Sequence, residues 1–138
     1  MSKEGQSLIH RWFEEVWNKG REEAIDEMFA ADGVAHGLAD GKDQKLHGPE
    51  GFKPFFRKFR EAFPDIQVIV EDCISEGDRI AARCTVRAKH TGDSLGVAAT
   101  DKPVEFTGMT FIRMRDGKIV EGWNNFDFMS LYQQIGVL

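Results

Sequence analysis

The hydrophobic period of this 138-residue chain changes once, at Pro64, from helical spacing before it to alternation after it. That switch constrains the fold: a helix buries a stripe, an alternating strand buries one face, and each needs the other as cover. The expected class is α+β, with N-terminal helices packed on a mainly antiparallel sheet in a single domain over 1-138. Leu8, Ile9, Trp12, Phe13, Val16 and Trp17 predict a helix over 7–18, ended by Asn18-Lys19-Gly20. Ala24, Ile25, Met28 and Phe29 predict a shorter one, closed by Ala31-Asp32-Gly33. A third opens at Gly48-Pro49-Glu50 and carries Phe52, Phe56, Phe59 and Phe63 on one side, with Pro54 placed to kink it or mark its start.

Beyond Pro64 the strands form two hairpins. Across Glu76-Gly77-Asp78, pairing Ser75 with Arg79 brings the even-numbered apolar positions of both strands to one face and sets Glu71 opposite Arg83. Asp116-Gly117, between Arg115 and Lys118, is a two-residue turn signal that pairs Thr110 with Trp123 and Phe106 with Asp127. A helical turn over 130–135 with Gly136 as its cap closes the chain. Cys73 and Cys84 fall at opposite pleat parity, which predicts reduced thiols.

Several function classes are disfavoured. A net charge of −5 gives no positive field for nucleic acid. No run approaches the ~18 apolar residues of a membrane helix, and the first residues lack a signal-peptide core, so the expected location is cytoplasmic, with no membrane partner. No His-x-His, His-Glu-x-x-His or paired-cysteine spacing suggests a metal, and no Gly-rich phosphate loop suggests a nucleotide, so no cofactor is expected. Eleven Phe and three Trp against one Tyr supply apolar rings for a core or a pocket.

His90 falls on the even, inward face of its strand with Val86 and Cys84, where it is either a satisfied core histidine or a proton partner. Asp127, placed by the second hairpin on the face of Trp123 and Phe106, is either a carboxylate in an apolar pocket or the N-cap of the last helical turn. Glu121 shares the Trp123 face nearer the turn, and His36 shares parity with Val34 and Leu38 near the pocket mouth. Trp12, Phe13 and Trp17 supply apolar walls.

In this order, Phe29-Ala30-Ala31-Asp32-Gly33-Val34-Ala35-His36, Gly48-Pro49-Glu50-Gly51, Ala62-Phe63-Pro64-Asp65, Glu76-Gly77-Asp78-Arg79, Lys89-His90-Thr91-Gly92, Asp116-Gly117-Lys118-Ile119-Val120-Glu121-Gly122-Trp123 and Gln133-Gln134-Ile135-Gly136 resemble the SnoaL-like polyketide cyclases of the nuclear-transport-factor-2-like fold. The resemblance implies a strongly curved, cone-shaped barrel around an internal pocket. It also implies cofactor-free aldol-type ring closure on a small hydrophobic carbonyl compound, with Asp127 as acid/base and His90 as its partner. A Gln and a His of the family's penultimate strand fall at Gly108 and Thr110 here, so the groups that would polarise an aromatic polyketide are changed. The alternatives are a non-catalytic small-molecule-binding module, a dehydratase of the same fold built on His36, His90 and Asp127, and a hydrolase of that fold. Met109, Phe111 and Arg113, expected outward opposite Phe126, Asn124, Gly122 and Val120, predict a homodimer on an apolar outer face.

Overall fold

Early helices and late strands follow the switch at Pro64, with one strand pair inserted before it. The computed structural model describes residues 3–38 and 45–137. Helix α1 (Lys3–Arg11) runs into a π-helical segment (Trp12–Asn18), and α2 (Glu23–Met28) leads into β1 (Phe29–His36). Then come β2 (Lys45–His47), α3 (Gly48–Ala62), β3 (Gln67–Glu76), β4 (Arg79–Lys89), β5 (Pro103–Arg115), β6 (Lys118–Phe126) and α4 (Phe128–Gln134). In the π-helical segment Lys19 N–H reaches back five residues to Glu14 O at 2.8 Å, and Trp12, Phe13, Val16 and Trp17 are all buried. Helix α2 stops at Met28 because Phe29 is already extended, and the segment through His36 is a full strand. Helix α3 is unbroken through Pro54, whose ring faces solvent.

One six-stranded sheet, ordered β2-β1-β6-β5-β4-β3, carries the helices on its inner face. All pairings are antiparallel except β1 with β6. The sheet is curved and mainly antiparallel as expected, and it is open, with β2 and β3 as its two edges.

Both hairpins contain a bulge that the expected registers lacked. In the first, Val70 pairs with Cys84 as anticipated, but Glu71 is an extra residue and the turn-proximal pairs become Ser75 with Ile80 and Glu76 with Arg79. Ser75 is therefore buried, while Ile74 stands 65% exposed. Arg83 takes Asp72 as its partner at 2.9 Å, and Glu71 accepts the Thr85 hydroxyl instead. In the second, the Asp116-Gly117 turn forms as expected, but Val120 is extra between the pairs Met114 with Ile119 and Arg113 with Glu121. Thr110 consequently faces Asn124 and Phe111 faces Trp123. Because strand side chains alternate, a one-residue slip exchanges faces. Gly122, Asn124 and Phe126 turn inward to the cavity; Glu121, Trp123 and Asn125 do not.

Candidate functional site

Between the helices and the inner sheet face lies an aromatic cavity, with about 80 Å³ open to the centre of a water molecule. That is several times the ~10–15 Å³ that one water occupies by this measure. Trp12, Phe13 and Trp17 of the π-helical segment and Phe52, Phe55 and Phe59 of α3 form one wall. Edge-on contacts such as Trp12 with Phe52, centroids 5.3 Å apart, hold these rings. The sheet supplies the opposite wall, including Phe106 and Thr110 of β5.

Among the described lining residues, the polar side chains besides the two indoles are Thr110 and Asn124, and none is ionisable. Thr110 is 4% exposed, and its hydroxyl donates to Asn124 Oδ1 at 2.9 Å. Asn124 Nδ2 donates to the His36 carbonyl at 2.9 Å. A primary amide carries two N–H donors, and the second has no partner among the described residues. Sequence reading missed Asn124. The signal was the adjacent pair Ile119 and Val120, both apolar and both buried on an otherwise alternating strand, which is how a bulge looks before its register is known.

The bulge removes three expected lining residues. Asp127 is exposed rather than set in the apolar pocket; its carboxylate accepts Ser130 N–H at 3.0 Å and caps α4, the bland reading of its sequence position. Trp123 and Glu121 lie on the outer face, with His36, which does not reach the pocket. The His36 ring stacks on Trp123 (centroids 5.3 Å, planes 7° apart), and its Nε2 is 2.7 Å from Glu121 Oε2. Arg113 lies 3.4 Å from the other Glu121 oxygen. These partners hold the Glu121 carboxyl below the usual carboxylate range, the His36 hydrogen bond foremost.

His90 is inward and fully buried, but it lies beyond the cavity lining and packs against Phe63. Its Nδ1 receives Thr100 N–H at 3.2 Å and lies 3.0 Å from the Thr100 hydroxyl, whose oxygen itself accepts Lys102 N–H. That pattern makes Nδ1 an acceptor and puts the proton on Nε2, which has no partner among the described residues. In this arrangement His90 ties the segment after β4 back to the strand.

The fold, a mixed sheet with helices on one face, is similar to that of a protein of ketosteroid-isomerase-like fold from Catenulispora acidiphila (TM-score 0.78, 18% identity, 95% of this chain and 93% of that one). Residues 7–135 match the model of the SnoaL-like polyketide cyclases, and the chain belongs to that family. The aklanonic acid methyl ester cyclase DauD of Streptomyces sp. (strain C5) is 25% identical over 130 residues, covering 94% of this chain and 80% of the relative. IdmH from Streptomyces antibioticus superposes with a TM-score of 0.83 at 31% identity, over 99% of this chain and all of its own. No helix among the described residues is long and apolar enough to cross a membrane.

Proposed function

We propose that this chain is a ring-closing enzyme for an apolar, carbonyl-bearing polyketide-type compound, in which Asn124 donates a hydrogen bond to the reacting carbonyl and Thr110 fixes the amide. The supporting observation is that these two side chains bring the only hydroxyl and amide groups to the described aromatic lining. In an intramolecular aldol closure, a carbon between two carbonyl groups gives its proton to solvent and attacks a second carbonyl carbon, whose oxygen becomes an alkoxide and takes a proton. No atom is lost. A donor aimed at that oxygen in a water-poor site stabilises the charge as it forms, and the rings hold the ends of the chain together. Neither Asp127 nor His90 supplies the base in this reading, because neither lines the cavity.

The two relatives that act on aklanonic acid methyl ester provide the test compound. Chromatography should show conversion to an isomeric, ring-closed product by the native chain and at least about tenfold less by Asn124→Leu. Equal conversion by both would sink the role of the amide, and no conversion by either would overturn the substrate class. The lack of an ionisable side chain among the described lining residues also favours a second reading, a carrier that binds without turnover; binding with no product identifies it.

We also propose that a second copy of the chain covers the outer face. Ile74, Ala81, Phe111 and Trp123 are successive cross-strand neighbours and form one apolar row. Arg113 and Glu121 flank it on one side, Asp72 and Arg83 on the other. A two-fold axis can lay such a row on its own copy while acids and bases of the rims meet.

A further inference from the structure

We infer that His36, on the far face of the sheet from the cavity, is a positioning residue for the Asn124 amide. The inference rests on the reading of Asn124 as the carbonyl donor. His36 is the last residue of β1 and pairs with Trp123 of β6. Its main-chain carbonyl accepts the inward Asn124 Nδ2–H at 2.9 Å, while its ring is held outside by Glu121 at 2.7 Å and by the parallel stack on Trp123. One residue therefore joins a clamp on the outer face to an acceptor on the inner one.

The position makes the clamp consequential. The chain leaves the strand at Gly37, where φ is +84° and a Cβ would lie 2.1 Å from the Asn124 carbonyl oxygen, so the strand end rests directly on the residue whose amide it orients. A terminal strand residue frays unless something ties it down. Here the ladder partners Lys45 of β2 and Trp123 of β6 hold the main chain, the imidazole adds its side-chain ties to Glu121 and Trp123, and Thr110 holds the amide oxygen from the other side. With the ring removed, the His36 carbonyl moves relative to Nδ2, the amide turns to follow it or solvent, and its second N–H no longer points at the guest.

Calorimetric titration with two probes of nearly one shape, 1-tetralone with a carbonyl and tetralin without, separates the possibilities. Asn124→Leu should weaken 1-tetralone by roughly threefold to tenfold, the worth of one hydrogen bond, and leave tetralin unchanged. His36→Ala should reproduce most of that selective loss, and His36→Gln, which can still donate to Glu121, should restore it. The tetralin affinity reports on the integrity of the cavity in each variant. If Asn124→Leu shows no selective loss, the carbonyl-donor reading fails and this inference with it. If Asn124→Leu is selective and His36→Ala is not, or if His36→Ala weakens both probes alike, positioning by His36 is refuted while the donor reading stands.

Discussion

Thr110 and Asn124 face each other across β5 and β6, the threonine hydroxyl 2.9 Å from the amide oxygen, and only the bulge at Val120 brings them together. Without the extra residue Thr110 would meet Trp123, and the amide would stand on the outer face. Pocket chemistry in this chain is thus set by a backbone irregularity as much as by residue type.

Asp127 and Asn124 exchange the importance that their types suggest. Asp127→Asn should leave turnover within about threefold of the native value, because Asn also caps helices well, whereas Asp127→Ala should cost about 1 kcal/mol of stability through the lost Ser130 N–H bond. Thermal melts and turnover on the same samples check this. Abolished turnover in Asp127→Asn with an unchanged melt would restore the carboxylate as acid/base.

The three early helical segments, the faces of α3 and the Asp-Gly hairpin were legible because each rests on a local signal: apolar spacing, Pro and Gly positions, a two-residue turn; the strands β1 and β2 ahead of α3 were not. The aromatic wall was legible for the same reason. The parity of β6 was not, since a single bulge at Val120 carries no turn residue and displaces every later side chain to the other face. The same blindness at Glu71 exchanged Ser75 with Ile74. The parallel pairing of β1 with β6 joins residues 87 to 90 positions apart and leaves no short-range pattern.

Glu121 makes stability depend on pH in a defined direction. Its folded-state pKa is depressed by His36 and then Arg113, so its contribution is full above the ordinary value of 4.5 and is lost as pH falls through the lower folded value. The native chain should melt above Glu121→Gln near neutral pH, with the difference closing well below pH 4.5. A constant difference at every pH would show that the carboxylate charge is not what His36 and Arg113 stabilise.

Cys84 is fully buried on β4, and burial first of all pushes its thiol up to about 12. The thiolate is the reactive form, so alkylation at mildly alkaline pH should spare Cys84 in the folded chain and reach it only in denaturant. Mass spectrometry of iodoacetamide-treated protein reads this directly. Rapid native labelling would show that the central strands open far more readily than their packing implies.

Self-association can be tested on the outer row without touching the cavity. Of the β6 residues expected outward, Phe126, Asn124 and Gly122 line the cavity and Val120 is buried, and Glu121, Trp123 and Asn125 take their place, but Met109 and Phe111 of β5 remain outward at 58% and 41% exposure. With Trp123 at 36% and Ile74 at 65%, they form a patch of the kind that usually marks an interface. Phe111 sits mid-row between Ala81 and Trp123, so Phe111→Lys places a charge at the centre of any two-fold contact, where desolvation costs most. Light scattering coupled to size exclusion should give a dimer mass for the native chain at micromolar concentration and a monomer mass for Phe111→Lys. The variant should keep its affinity for tetralin, because Phe111 does not line the cavity. A monomeric native chain would refute the second copy as the cover of this face.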